Sequence, residues 1–150
     1  MTEGAVNLPR VLEKLSYIHR QIARLRALSP EELTEELGDQ FRSGAVKYAL
    51  QTSIEAVIDT AYHLCAKVYH LAPDSAVDAM QILHANSVID DDKFMVLVLM
   101  VKFRNKVVHG YADIDAAELR DIVEHHLGDF AMWDDAVRKA IGRLEPNSAS

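Results

Sequence analysis

The chain has 150 residues, of which 49% are hydrophobic, 26% charged and 7% aromatic, the balance of one soluble globular domain and not of a disordered or fibrous chain. Sixteen Lys and Arg against 23 Asp and Glu leave a formal net charge of −7; this excludes sequence-independent wrapping of DNA by a basic surface but not a nuclease with a small, locally positive cleft. The single cysteine, Cys65, excludes an intrachain disulfide framework and a Cys-based zinc site. The start of the chain lacks a basic-then-apolar signal pattern, and the longest wholly apolar run, the eight residues Phe94 to Val101, is too short to span a bilayer, so the expected location is the cytoplasm with no membrane partner.

Helical periodicity runs along almost the whole chain, with no strand-turn-strand alternation. From about Pro9 to Leu28, residues Val11, Leu15, Ile18, Ile22 and Leu25 predict one apolar helix face. Ser29, Pro30 and Glu32 read as N-cap, first-turn proline and capping-box glutamate of a short helix stopped by Gly38. A long helix follows from about Asp39 to His70, with Val46, Leu50, Ile54, Val57, Ala61, Leu64 and Val68 inward, Gly44 as an early weak point and Pro73 as the next breaker. A shorter one from Asp74 to about Ala85 turns Val77, Met80 and Leu83 inward.

Asp90, Asp91 and Asp92 supply an N-cap and suit the positive end of a helix running to His109. A buried strand over Met95 to Val101 is the competing reading; the absence of Gly and Pro from Asp92 to His109 decides for helix. On it Met95, Val98 and Phe103 are expected to face the bundle, leaving Phe94, Leu97, Val101 and Arg104 for an isologous homodimer interface. The last helix is expected to start at Asp115 and carry Leu119, Ile122, Val123, Leu127, Phe130, Trp133, Val137 and Ile141 inward, followed by a polar tail from Glu145. The predicted architecture is all-α: a single domain over residues 1–150, an antiparallel four-helix bundle with one or two short extra helices.

Function has to come from a site, since bundles serve many activities. Arg104 sits in a stripe between Val101 and Val108, where a charge is costly unless it is paired or meets a partner surface. Asn105 and His109 are four apart, hence neighbours on one face, where the amide can orient the imidazole. Arg104 and His109 diverge by about 140° on an ideal helix, but Gly110 permits a left-handed C-terminal turn that frees His109 and Tyr111 to turn back or across to a second subunit. The competing reading is a cationic helix end that complements the helix dipole. Glu55, Asp59 and His63 line one helix face, either as half of a metal site or as a solvated polar stripe. The tandem His125 and His126 reads as structural, with one ring near the core.

Arg104-X4-His109-X-Tyr111, flanked by Phe103, Asn105 and Val108, resembles the active-site motif of HEPN-domain ribonucleases, specifically the HepT toxin branch. The stretch from Tyr48 to Asp59, with Leu50-Gln51 followed by Glu55-X3-Asp59, is similar to that family's long helix, and Asp113-Ile114-Asp115 also fits. The likeness runs from about Arg10 to Leu144 in helix order. It implies an RNA-cleaving toxin of a toxin-antitoxin pair that uses neither metal nor cofactor, working as a homodimer whose two Arg-His sets line one cleft. In that reading His109 is general acid or base, Arg104 binds the scissile phosphate, Asn105 orients His109 or holds a phosphate oxygen, and Glu55 and Asp59 pair with Arg104 or line the cleft. It further implies a partner antitoxin, an MntA-like nucleotidyltransferase that transfers AMP to Tyr111. The alternative is a non-catalytic HEPN-like bundle that binds a nucleotide or docks on a nucleotidyltransferase.

Overall fold

The computed structural model describes residues 5–110 and 114–144; Tyr111 and Asp113 lie outside the described residues. Among them are seven helices and no strand: α1 (Leu8–Arg26), α2 (Pro30–Gly38), α3 (Gln40–Val68), α4 (Ala76–Ala85), α5 (Asp91–His109), α6 (Ala116–His125) and α7 (Gly128–Leu144). None is long and apolar enough to cross a membrane.

The caps explain the boundaries. Ser29 and Glu32 form the reciprocal capping box, at 3.1 and 2.9 Å, that opens α2. Asp39, Asp90 and Asp115 cap α3, α5 and α6 by accepting backbone N–H bonds at 2.8–2.9 Å. Ser75, and not Asp74, caps α4.

The long α3 is the axis of the fold, in contact with α1, α2, α4, α5 and α6, and it runs through Gly44 without a break. The α1 face is buried as its spacing requires, and Leu50, Val57 and Leu64 of α3 are fully enclosed. Each such side chain stabilises the fold by about 1.5–3 kcal/mol. The hydroxyls of Ser53 and Thr60, buried with them, donate to the carbonyls of Ala49 and Ala56 at 2.7 and 2.8 Å. The Cys65 thiol lies against the carbonyl of Ala79 at 3.6 Å, and burial pushes its pKa up to about 11.

Two expectations need correction. The last helix is not continuous: α6 ends at His125 and α7 starts at Gly128, so there are three short helices, α2, α4 and α6. The two halves have different neighbours, α6 packing on α2 and α7 on α1, and Gly128, with its low helix propensity, lies at the bend. The faces of α5 also differ from the expectation: Phe103 is inward as expected, but Met95 is exposed and Leu97 and Val101 are covered. Leu97, Met100, Val101 and Phe103 are buried, whereas Met95 and Leu99 are 59% and 60% exposed. Contact with both α3 and α4 gives α5 a broad inward side, and that side takes up Leu97 and Val101, which therefore cannot form a homodimer surface.

Candidate active site

The site is built at the C-terminal end of α5. Gly110 adopts φ 63° and ψ 22°, the left-handed conformation that only glycine enters without cost, and its N–H donates to the carbonyl of Lys106 at 3.1 Å. From the sequence, this turn is expected to free His109 and Tyr111 to turn back toward Arg104 or across to a second subunit. Instead His109 is itself the last helical residue, and the turn follows it. Arg104 and His109 of one copy therefore stay about 140° apart around the axis and about 7.5 Å apart along it. The helical angle puts Arg104 on the side of Leu97 and Val101, half-buried, and His109 on the outward side with Lys102 and Lys106, exposed. Asn105 is half-buried and shares a face with His109 one turn on.

The electrostatics of Arg104 are unusual. Its Nε is shielded from solvent and has no hydrogen-bond partner, and among the described residues no carboxylate lies within 4 Å of the guanidinium. Buried donors are nearly always satisfied; among the described residues the other exception is Trp133 Nε1, inside the core. Lys106 is engaged, its Nζ 3.0 Å from Glu118 of α6.

Glu55 and Asp59 do not pair with Arg104. Asp59 takes the Lys14 ammonium of α1 at 3.2 Å, and Glu55 accepts from Gln51 at 3.4 Å; both line a groove of about 270 Å³ between α1 and α3. The metal reading of Glu55, Asp59 and His63 does not hold either. His63 Nε2 accepts the Asn7 backbone N–H at 2.9 Å, and no group of three or more metal-ligating side chains converges among the described residues. Burial first, then Arg10 and Lys67, lowers the His63 pKa. Both His125 and His126 are exposed; neither ring enters the core, and His126 lies between Asp121 and Asp129 at 3.2 and 3.6 Å.

The helical pattern gave no notice of an exposed aromatic pair on α3, Phe41 and Tyr48, 91% and 64% accessible. The signal available was in the charges: in a chain with 23 acids, residues 40–54 and 93–109 contain none.

Residues 18–133 match the family described as Ribonuclease HepT-like. The mRNA nuclease HepT of Shewanella oneidensis is 29% identical over 133 residues, covering 85% of this chain and 96% of that protein. The structure of a tri-AMPylated Shewanella oneidensis HEPN toxin in complex with MNT antitoxin superposes with a TM-score of 0.79 at 28% identity, over 87% of this chain and 97% of that one. A toxin-antitoxin structure with AMP-PNP gives a TM-score of 0.77 at 27% identity, over 85% and 97%. YutE of Bacillus subtilis, a cytosolic protein of unknown function, shares the fold at 19% identity, with a TM-score of 0.78 over 95% of this chain and 93% of its own.

Proposed function

This chain belongs to the HepT-like ribonuclease family, and from that premise we propose that it is the toxin of a toxin-antitoxin pair, a metal-independent endoribonuclease that works as a homodimer. The observation that carries this reading is Arg104: a half-buried guanidinium with a shielded, unpartnered Nε, five residues before an exposed histidine at a helix end. Such an arginine suits a phosphate that arrives with the substrate.

The 2′-hydroxyl oxygen of RNA attacks the adjacent phosphorus as the bond to the 5′-oxygen breaks. His109 removes the 2′ proton, and the partner's His109 protonates the leaving 5′-oxygen, the acid–base work an imidazole suits. Arg104 stabilises the charge that develops on the phosphoryl oxygens. The products are a 2′,3′-cyclic phosphate and a 5′-hydroxyl. The divergence of Arg104 and His109 within one copy supports a site completed by a second. Asn105 orients His109, and Glu55 and Asp59 line the edge of the cleft.

The antitoxin in this reading is an MntA-like nucleotidyltransferase. The Tyr111 oxygen attacks the α-phosphate of ATP, pyrophosphate leaves, and each AMP adds about one negative charge beside the phosphate-binding arginine, which repels RNA.

Cleavage of RNA by the purified chain in EDTA, with end-group analysis, tests the chemistry. Retained cleavage leaving cyclic phosphate ends is expected, and Arg104→Ala and His109→Ala should each abolish it with the fold intact. Activity surviving His109→Ala overturns the assignment, and activity lost on chelation overturns the metal-free mechanism. Intact-mass spectrometry after co-expression tests the switch: AMP increments are expected on the wild type and none on Tyr111→Phe.

A further inference from the structure

The unassigned feature with the most chemistry is the aromatic pair on α3. Phe41 and Tyr48 are seven residues apart, two helical turns, so their rings leave α3 on one face about 10.5 Å apart, with only Gly44 and Ala45 between them. Neither packs into the core, and an exposure of 91% for Phe41 is far beyond what scattered surface hydrophobes need.

Their place in the bundle gives the pair its meaning. Leu50 and Ile54 of α3 line one groove with Met100 and Phe103 of α5. At the opposite end His84 of α4 contacts Asp91 and Phe94 at the start of α5, while Cys65 of α3 contacts Ala79 of α4. So α5 runs antiparallel to α3, and its C-terminal turns end level with the first turns of α3. A second path agrees: Arg120 of α6 bonds Thr34 of α2 at 2.6 Å, and Glu118 of α6 holds Lys106 of α5. Tyr48 is thus level with Arg104, and Phe41 with the end of the bundle that carries His109.

The charges carried by these two helix stretches are of one sign, although Glu118 of α6 pairs with Lys106. Residues 40–54 supply Arg42 and Lys47, and residues 93–109 supply Lys102, Arg104 and Lys106, with no acid in either stretch of a chain whose net charge is −7. Asp39, just before the stripe, is held by the Phe41 and Arg42 backbone N–H groups; Glu55 begins the acidic part of the same face two turns after Tyr48.

We propose that Phe41 and Tyr48 form a stacking platform for unpaired nucleobases of single-stranded RNA flanking the phosphate at Arg104. The inference rests on the ribonuclease reading and adds the substrate class. Every base has a π-face, so two exposed rings flanked on α3 by Arg42 and Lys47 hold single strands with little sequence preference, while duplex RNA keeps its bases unavailable.

The test uses the full chain with His109→Ala to prevent cleavage, titrated by fluorescence anisotropy with a labelled oligoadenylate and with an abasic ribose-phosphate oligomer of equal length. The oligoadenylate is expected to bind at least about fivefold more tightly than the abasic strand. Adding Phe41→Ala and Tyr48→Ala should remove that preference and leave abasic binding unchanged, whereas Tyr48→Phe should keep it. Equal binding of the two strands, or a preference that survives the double alanine variant, overturns the platform. A change of oligomeric state in the double variant by sedimentation overturns it too, because the rings would then bind a second copy. The ribonuclease reading fails separately, if the chain with His109 intact leaves RNA uncut.

Discussion

Lys106 Nζ lies 3.0 Å from Oε1 and 3.2 Å from Oε2 of Glu118, so a single ammonium ties the last turn of α5 to the first turn of α6. Both side chains are partly exposed, and pairs of that kind contribute about 1 kcal/mol at most. Glu118→Gln should therefore barely change the unfolding midpoint, yet release a positive charge one turn from His109. Binding of a short single-stranded RNA should tighten at low salt and weaken more steeply across a salt series. An unchanged salt slope would put Lys106 off the path of the RNA.

Arg104 should be worth more to activity than to stability. Arg104→Met keeps the aliphatic stem and removes the unpartnered Nε, so stability in urea is expected to equal or exceed that of the unsubstituted chain. Cleavage should fall by roughly 10²–10³, the usual effect of deleting one stabilising donor. A stability loss above about 1 kcal/mol would show that the guanidinium holds the fold together.

His63 predicts a pH dependence of stability. Its ring accepts the Asn7 N–H, which requires the neutral form, and burial with Arg10 and Lys67 keeps its folded pKa below the ordinary value. The unfolded chain then takes up the proton first. Stability should be complete above a pH of about 6.5, decline as pH falls below it, and level off under the folded pKa. In thermal melts across that window His63→Gln, which can still accept the bond, should show a shallower decline. Parallel curves would mean another group sets the slope.

Gly110→Ala isolates backbone strain from crowding. A Cβ built there meets nothing within 4 Å, while φ is +63°. The substitution should cost about 1 kcal/mol in chemical denaturation, and Gly110→Asn less, because asparagine tolerates the left-handed region. Equal costs for both would point to a lost contact instead.

The helix order, the α1 face and the caps at Ser29, Asp90 and Asp115 were readable because each rests on local chemistry: periodicity, or a side chain reaching its own helix end. The side of α5 that faces inward was not, since Met95, Leu97, Val98 and Val101 are all apolar and only the positions of α3 and α4 decide which are covered. The break before Gly128 likewise depends on α6 and α7 docking on different helices. At the site, the motif residues stand out by type and spacing. What spacing does not give is that His109 stays helical, that Asp59 prefers Lys14, or that the first turns of α3 come level with the end of α5; the last two follow from the packing of distant segments.

The deeply enclosed thiol of Cys65 gives this protein a built-in reporter. With its pKa raised to about 11 and its sulfur against the Ala79 carbonyl, the native state holds almost no thiolate at neutral pH, and alkylating reagents react through the thiolate. Modification must therefore wait until α4 lifts from α3 or the whole chain opens. Because the chain has no other cysteine, the rate at which one label is incorporated, followed by intact mass, clocks that opening directly. The same measurement made with RNA or antitoxin bound would show how far events at the far end of α5 steady the middle of the bundle.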